Sequence, residues 1–448
     1  MIKHVTTWSL LLFVCLLGFT GCDDDDNVNP PATIFGDLAD LIEDDDRFTT
    51  LRGALDQTGL LTVLGDVSNP RTVFAPTDAA FTAAGVDLGS LSNEQLTDIL
   101  LYHVVAGRVP AATLDAGQSQ VPSLSTGGVD DRALTLAVNR NGTNVTINGN
   151  ANVIDADNEA VNGIVHVIDQ VLLPPSIASF AVADGRFTTL VFALQRVGLV
   201  DVLTDAGTYT VFAPTDDAFA AAGINLADLS DDDLRDILLY HVLGATAGAG
   251  DLADGNSFVT TLSASGPNGT ALSALVDKSD DVVSVNGDAT VVIADISTTN
   301  GVIHAIDKVL LPQNIVDFAT KADGTSELAN AVVAAGLVDA LSAAGPLTVF
   351  APVNSAFEAI SSTVAGLTDA QLVDVLTYHV VSGNVRSDDL SAGMVNSLND
   401  DNDIEIMEME DGTFFIRNGN EQASFILTDI QASNGVIHLI DQVLIPSS

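Results

Sequence analysis

Histidine and cysteine carry much of the catalysis and metal binding in proteins, and both are scarce in this chain. Six of the seven histidines fall into three pairs, separated by 63, 63 and 59 positions: His103 with His166, His241 with His304, and His379 with His438. A zinc site needs three or four converging ligands, whereas each pair offers two and lies near neither cysteine. We therefore predict no metal site. We interpret the histidines as buried rings whose nitrogen atoms bind backbone or tyrosine atoms.

Carboxylates are abundant enough to raise the question of a calcium site. They cluster at Asp44–Asp46, at Asp231–Asp233 and in the run from Asn399 to Asp403. An EF-hand loop requires glycine at its sixth position, and the run from Asn399 has Ile404 there. We expect no dedicated calcium site, and no motif of the chain predicts another cofactor.

A ten-residue phrase occurs three times, with successive copies 138 residues apart. The first copy reads T-V-F-A-P-T-D-A-A-F, and the copies begin at Thr72, Thr210 and Thr348. Thr-Val-Phe favours a strand, and the alanine-rich residues after the proline favour a short helix. The threonine that follows the proline becomes Val353 in the third copy, and valine cannot cap a helix. We therefore place the helix N-cap one residue later. The predicted caps are Asp78, Asp216 and Asn354.

Two further motifs accompany each copy of the phrase. The first is a tyrosine-histidine pair followed by apolar residues: Tyr102-His103, Tyr240-His241 and Tyr378-His379. The second closes each unit with Asn-Gly and an apolar strand pattern, and it begins at Asn162, Asn300 and Asn434. Three ordered motifs in three copies resemble the fasciclin domain family. The resemblance implies an α+β fold with three tandem domains, each a wedge-like β-sandwich with helices packed along it.

The motif positions divide most of the chain into three units: residues 34–175, 176–313 and 314–446. Helical patterns come first in a unit, for example from Phe48 to Leu64 and after a cap at Ser92. Strand patterns come later, with hairpins predicted at Asn141-Gly142 and Asp411-Gly412. This order also favours an α+β fold. No flexible linker separates the units, so we expect a stiff row of domains.

The start of the chain has the features of an export signal. Residues 1–21 contain the charged Lys3, then an apolar run and small residues before Cys22. A cysteine at the cleavage site resembles a bacterial lipoprotein signal. We predict lipidation of Cys22, an acidic tether over residues 22–33, and an exported protein that is lipid-anchored to the outer membrane and exposed at the cell surface. No later apolar run approaches the ~20 residues of a membrane span.

The charge of the chain limits its partners. Fifteen basic side chains stand against 60 acidic ones, a formal net charge of −45. Such a field repels nucleic acid and anionic lipid head groups, so we expect no nucleic acid partner and contact with the membrane only through the lipid anchor. The surplus of carboxylates also keeps a protein soluble and is typical of proteins in concentrated salt. No obligate oligomer is predicted.

Catalytic motifs are absent from the sequence. It contains no G-x-S-x-G elbow, no Gly-Lys pair of a phosphate-binding loop and no H-E-x-x-H. Serine, histidine and aspartate occur in every unit, which leaves an enzyme open as one function class. An enzyme seldom triplicates its whole active domain so evenly, and we predict a protein without enzymatic activity.

The resemblance implies adhesion. In fasciclin-like adhesion domains of animals, an Asp-Ile pair before the closing motif and the tyrosine-histidine region are associated with receptor binding. The matching candidate contacts are Asp295, Ile296, Asp429, Ile430, Tyr102, His103, Tyr240, His241, Tyr378 and His379. The first unit has Asp157-Asn158 and lacks the isoleucine. We predict binding of a matrix polymer or a surface protein of a neighbouring cell through repeated weak contacts. The alternative that the resemblance implies is a carrier of a small apolar ligand such as a carotenoid.

Overall fold

The computed structural model describes residues 36–205, 207–280, 282–399 and 402–446. The predicted signal peptide, the acidic tether and Cys22 lie outside these residues. Within them, the chain forms three similar domains, each with a seven-stranded sheet and helices that lie mainly before and after its first strand. The predicted α+β class and the three tandem domains are confirmed. Among the described helices, none combines the length and the apolar composition needed to cross a bilayer.

The helices lie mainly in the first half of each domain. The α-helices of the first domain are α1 Leu38–Glu43, α2 Thr49–Thr58, α3 Leu60–Leu64, α4 Asp78–Ala84 and α5 Asn93–Tyr102. Those of the second are α6 Ile177–Ala183, α7 Thr188–Arg196, α8 Asp216–Ala222 and α9 Asp231–Tyr240. Those of the third are α10 Ile315–Lys321, α11 Ser326–Ala334, α12 Val338–Ser342, α13 Asn354–Ala359, α14 Ser361–Val364 and α15 Asp369–Tyr378.

Seven strands complete each domain. The first domain has β1 Arg71–Pro76, β2 Val104–Ala106, β3 Gly117–Pro122, β4 Thr135–Asn141, β5 Asn144–Ile147, β6 Ala151–Ala160 and β7 Gly163–Ile168. The second has β8 Tyr209–Pro214, β9 Val242–Leu243, β10 Gly255–Thr260, β11 Ser273–Ser279, β12 Val282–Val285, β13 Ala289–Thr298 and β14 Gly301–Ile306. The third has β15 Leu347–Pro352, β16 Val380–Ser382, β17 Gly393–Asn396, β18 Asp403–Glu408, β19 Phe414–Asn418, β20 Glu421–Ala432 and β21 Gly435–Ile440.

The sheet topology brings the repeated motifs together. The strand order of the first domain is β2-β1-β7-β6-β5-β4-β3, and the other two sheets have the same order. The repeated phrase forms β1 and the closing motif forms β7, and these two strands are parallel, with Phe74 opposite His166. The remaining neighbours in the sheet are antiparallel. Motifs about 90 residues apart in the sequence therefore lie on adjacent interior strands of the sheet.

Each sheet buries apolar residues on both faces. In the first domain, one cluster packs Val73 and Val165 against the helix residues Leu51 and Leu55. A second cluster combines Phe74 of β1 with side chains of β4 and β5, including Leu136, Val138 and Val145. The two ends of a single sheet thus pack face to face, which is the sandwich that the resemblance implied. Burial of these side chains provides most of the stabilisation, at about 25 cal/mol per Å² of apolar surface.

Local signals predicted many elements correctly. The capping boxes at Ser92 and Thr368 are present, and both predicted hairpins form, β4 with β5 and β18 with β19. The predicted helix from Phe48 to Leu64 is divided into α2 and α3. The division falls at Gly59, whose φ of 74° is left-handed and ends α2.

The predicted cap of the repeated phrase is wrong by one residue. The hydroxyls of Thr77 and Thr215 accept the first-turn amides of α4 and α8, whereas Val353 leaves α13 without a side-chain cap. The following acidic or amide residue caps an earlier helix instead. The carboxylate of Asp78 accepts the Thr50 amide of α2 at 2.7 Å. The equivalent residues of the second and third domains do the same within their own domains: Asp216 accepts the Thr189 amide at 2.7 Å, and Asn354 accepts the Glu327 amide at 2.9 Å.

Candidate functional site

The histidines of the tyrosine-histidine pairs tie the end of a helix to the end of the domain. The Nδ1 atom of His103 donates to the Ile99 carbonyl at 2.8 Å, and Nε2 accepts the Leu172 amide at 2.9 Å. His241 and His379 make the same two contacts, with Ile237 and Leu310 and with Val375 and Leu444. Burial lowers the pKa of each of the three rings to about 4, against a smaller opposing effect of the helix carbonyl. Each ring is neutral at pH 7.

The histidines of the closing motif use the opposite tautomer. Nε2 of His166 donates to the Val109 carbonyl at 2.9 Å, and Nδ1 accepts the Asp157 amide at 3.2 Å. In the other two domains, the Asp295 amide donates to Nδ1 of His304 and the Asp429 amide donates to Nδ1 of His438, and Nε2 of each ring again donates to a carbonyl. Burial lowers the pKa of these rings as well. All six histidines of the described chain therefore have both ring nitrogen atoms bonded to backbone atoms.

The tyrosines are equally buried. The Tyr102 hydroxyl donates to the Thr135 carbonyl at 2.9 Å and accepts from the amide side chain of Asn148 at 2.8 Å. Tyr240 binds Ser273 in the same manner, and burial raises the pKa of both phenols. Tyr102 and Tyr240 are 0% exposed and Tyr378 is 8% exposed. A partner that approaches the folded domain meets neither these tyrosines nor the histidines beside them.

The Asp-Ile pairs divide between core and surface. Ile296 and Ile430 are buried in the hydrophobic clusters of their domains. Asp295 is exposed and Asp429 is half-buried. Both aspartates have φ near +60°, and each carboxylate accepts an amide of a neighbouring loop at 2.8 Å: Ala249 for Asp295 and Ser387 for Asp429. Only the aspartates remain accessible to a partner, and both also brace a loop.

The asparagine of the closing motif is a scaffold residue whose role the sequence did not reveal. Asn300 accepts the Ile177 amide at the start of α6 and donates to the carbonyls of Leu203 and Asp205. Asn162 and Asn434 make equivalent contacts. A side chain at the next position, Gly301, would place Cβ 2.1 Å from the Tyr209 carbonyl oxygen. The most repeated residues therefore maintain the fold.

Two equivalent joints connect the domains; we call them the 1–2 joint and the 2–3 joint. In the 1–2 joint the Ser297 amide donates to the Thr135 hydroxyl at 3.1 Å, and in the 2–3 joint the Gln431 amide donates to the Ser273 hydroxyl at 2.9 Å. Ion pairs add to both: Arg132 with Asp251 in the first, and Lys321 with Asp288 in the second. The expected absence of a flexible linker thus coincides with direct contacts between neighbouring domains.

Apolar side chains also cross the joints. Ala137 of the first domain belongs to the core cluster of the second, and Leu275 of the second belongs to the core cluster of the third. Their exposed fractions are 0% and 1%. Each joint therefore extends the core of the following domain.

An apolar cavity of about 210 Å³ lies at the 2–3 joint. Phe258 of the second domain borders it, together with core residues of the third domain such as Phe318, Leu328 and Ile430. The lining contains no charged side chain. Thr325, which precedes α11, also borders the cavity, and its hydroxyl donates to the carbonyls of Ala319 and Ala322. The surface of the cavity can therefore hold an apolar group without leaving a polar atom unpaired.

The corresponding space of the 1–2 joint is occupied. Phe187 precedes α7 as Thr325 precedes α11, and its buried ring packs beside Phe180 and Leu190. The position of Phe258 is held by Gln120, whose amide binds Asp184, and Asp184 is paired with Arg186. Replacement of Phe187 by threonine and of the ion pair by Ala322 and Gly324 accounts for the cavity in the third domain.

Comparison with known proteins places this architecture in a family. The Fasciclin domain family matches residues 46–174, 185–312 and 323–446, so the chain belongs to the fasciclin domain family and contains three tandem copies of its domain. The chain is similar to the transforming growth factor-beta-induced protein ig-h3 of Sus scrofa, with 28% identity over 430 residues, 93% of this chain and 58% of that protein. It is also 44% identical over 140 residues to protein sll1483 of Synechocystis sp., covering 30% of this chain and 73% of that protein.

A solved FAS1 domain pair from the insect cell adhesion molecule Fasciclin I is also similar. It is 23% identical, with a TM-score of 0.38, over 58% of this chain and 92% of that chain. The chain spans 58% of the pig protein and 47% of human periostin, about half the length of the animal relatives that it matches.

Within the described ranges, no group of three or more histidine, cysteine or acidic side chains is placed to hold a metal ion.

Proposed function

We propose that this protein is an adhesion module that binds a matrix polymer or a surface protein of a neighbouring cell through its three domains together. Family membership over three tandem copies supports a general role in adhesion. The observation that carries the proposal is the repeated joint, because equivalent contacts hold successive domains in fixed relation to each other. Weak sites in such an arrangement bind a repetitive target with an avidity ~10²–10⁴-fold above that of one site.

The proposed contact surface excludes the residues that all three domains repeat. The repeated tyrosines, histidines and asparagines are buried and bonded to the backbone, and are therefore unavailable to a partner. Of the ten candidate contacts, Asp295 has the best access to solvent, and Asp429 is partly covered by Arg386. A cationic group of a partner could replace the loop contacts that these carboxylates make.

Paired substitutions separate direct contact from loop bracing at Asp295 and Asp429. Asparagine keeps an acceptor for the loop amide and tolerates a left-handed backbone, but removes the charge. Alanine removes both. If the charge contacts the partner, Asp295→Asn with Asp429→Asn weakens retention on the target as much as the alanine pair does. Full retention by the asparagine pair would limit both aspartates to a structural role.

We further propose that the protein is not an enzyme. A serine nucleophile needs a base with a free ring nitrogen, and every histidine in the described ranges has both nitrogen atoms bonded to backbone groups. The test is a screen of residues 34–448 against matrix polysaccharides, cell surfaces, and ester and glycosidic substrates. Binding to a matrix or a cell without turnover is expected. Turnover at a constant specific activity through purification would contradict the proposal.

The predicted lipid anchor belongs to the same proposal. Acyl chains on Cys22 would hold the three domains at the membrane, since each buried methylene adds ~0.8 kcal/mol. Cys22→Ser is expected to move the protein from the detergent phase to the aqueous phase. Unchanged partitioning of the variant would contradict the lipid anchor at Cys22. It would not affect the proposal that the three domains bind a target.

The cavity at the 2–3 joint supports a second candidate function, the binding of a small apolar molecule. An apolar cavity of ~150 Å³ binds benzene, so one of about 210 Å³ accepts a molecule that is moderately larger. Toluene is expected to raise the melting temperature of the wild-type chain, because a ligand stabilises the folded state to which it binds. Thr325→Phe fills the cavity as Phe187 does in the second domain, and should abolish the shift. An equal shift in both proteins would place the toluene elsewhere.

A further inference from the structure

The joints use one face of each earlier domain, which we call its forward face. The face is centred on the first residue of β4, β11 or β18, and the tyrosine of each domain identifies this position. The tyrosine hydroxyl donates to the carbonyl of that residue in every domain: Tyr102 to Thr135, Tyr240 to Ser273 and Tyr378 to Asp403. Asp403 is therefore the counterpart of the two hydroxyl residues that accept the joint hydrogen bonds.

At the two docking positions, the forward face of the third domain carries acidic side chains where the other two domains have uncharged ones. Thr135 and Ser273 are 6% and 5% exposed within their joints, whereas Asp403 is exposed. Two residues further along the strand, Ala137 and Leu275 insert into the next domain, and the third domain has Glu405 at this position. Glu405 pairs with Arg417 at 2.9 Å, and both side chains are more than one-third exposed. A joint at this face would desolvate both charges and leave Asp403 buried beside them.

The loop before this strand is also shorter in the third domain. Eleven residues separate Ser123 from Thr135 and Thr261 from Ser273, but only five separate Ser397 from Asp403. In the first domain this loop supplies Arg132, which pairs with Asp251 across the 1–2 joint. The third domain has therefore lost length in a segment that forms part of a joint.

The opposite end of the row is charged as well. The residues that donate the joint amide are Ser297 and Gln431, which are 3% and 1% exposed. Their counterpart in the first domain is Glu159, two residues after the left-handed Asp157, and its side chain is 62% exposed. If a second copy docked head to tail, Asp403 of one chain would meet Glu159 of the other. Like charges at this contact oppose the docking.

We propose that the forward face of the third domain is an end face, on which Asp403 and Glu405 exclude the joint that the first and second domains form. The partner excluded is a second copy of this chain, whose first domain presents the complementary half of the joint. Terminal units of repeat proteins commonly have a polar outer face for the same reason, since an uncapped face recruits further copies. A second copy of the chain therefore does not extend the row at this face.

The first test introduces the end-face residues into an occupied joint. Ser273→Asp with Leu275→Glu places in the second domain the residues that the third domain already accepts on the same scaffold. We expect the 2–3 joint to open, with a larger radius of gyration by small-angle X-ray scattering of residues 34–448. The matched control, Ser279→Asp with Val282→Glu, adds the same charges to an exposed hairpin of the same domain and should leave the radius unchanged. An unchanged radius in the joint variant would overturn the proposal.

The second test runs in the opposite direction. Asp403→Ser with Glu405→Leu gives the third domain the residues of the second, and its average mass should rise with concentration in analytical ultracentrifugation. The wild-type fragment and the control Glu410→Ser with Glu408→Leu, which removes the same charges from exposed positions, should remain monomeric. If the variant stays monomeric, the short loop and not the two carboxylates prevents association, and the proposal is contradicted. Head-to-tail association of the wild-type fragment would contradict it too.

Discussion

The 1–2 joint and the 2–3 joint share one backbone arrangement and differ in how their side chains fill it. In the first, Phe187 and the Asp184–Arg186 pair occupy the space beside the first helix of the second domain. In the second, Thr325 leaves an apolar cavity of about 210 Å³ at the same place. The joint hydrogen bonds are present in both. Docking of the domains therefore does not depend on a filled interior, and this position is free to acquire a binding role.

The largest effect is expected from Phe187→Thr, which makes the 1–2 joint resemble the 2–3 joint. Loss of a buried phenylalanine ring costs about 3 to 4 kcal/mol, because the surrounding side chains relax only partly. Urea unfolding of residues 34–448, followed by a probe in the second domain, measures the change. Phe192→Thr is the matched control, since Phe192 is 59% exposed and its replacement should cost little. Equal costs for the two variants would contradict the assigned packing of Phe187.

Acidification is expected to weaken all three domains alike, in contrast to the joint variants. The pKa of His103, His241 and His379 is about 4 in the folded chain, below the ordinary value near 6.5. Between these values the unfolded chain binds a proton that the folded chain does not. Stability is complete above pH 6.5 and falls toward pH 4, by about 1.4 kcal/mol per pH unit for each ring.

Urea midpoints at pH 7 and pH 5 measure this dependence. His241→Gln removes the titrating ring from one domain, so the second domain should lose part of its pH dependence while the first and third keep theirs. The variant is also expected to be less stable at pH 7, because the Leu310 amide loses its acceptor. An unchanged pH dependence of the second domain would show that His241 titrates normally.

The smallest loss of stability is expected from substitution of Asp216 and Asn354, which cap the preceding helices α7 and α11. Asp216→Ala removes the acceptor for the first-turn amides of α7 and should cost ~1 kcal/mol, and Asn354→Ala should cost a similar amount at α11. The adjacent Asp217 is exposed, and Asp217→Ala serves as the control. If only Asp217→Ala lowered the stability, Asp216 would not cap α7, and the repeated phrase would act only on its own helix.

The sequence predicted the domain architecture because its signals are local or repeated. Capping boxes at Ser92 and Thr368 and the turn at Asp411-Gly412 involve residues within a few positions of each other. Asp78 was assigned to the wrong helix, because its carboxylate accepts an amide of α2, which begins 29 residues earlier. The local comparison with Val353 excluded the threonine, although the fold tolerates an uncapped α13.

The candidate contacts show a similar limit. Repetition marked the tyrosines, histidines and isoleucines, but repetition alone does not distinguish a scaffold residue from a contact residue. Burial makes that distinction, and it depends on strands from distant parts of the chain, such as β1 and β7. The cavity was equally hidden, since it results from Thr325 in place of Phe187 and from the loss of the Asp184–Arg186 pair, and it becomes apparent only when equivalent positions are compared in space.

The central claim is that the three domains bind a repetitive target together. Its most direct test is the retention of coated beads on a matrix or cell surface under flow, with equal molar amounts of residues 34–448, of the second domain alone, and of the Ser273→Asp, Leu275→Glu variant. The account predicts retention by the three-domain fragment ~10²-fold or more above that of one domain, and an intermediate value for the variant with an open joint. Equal retention per mole by one domain and by three would contradict it.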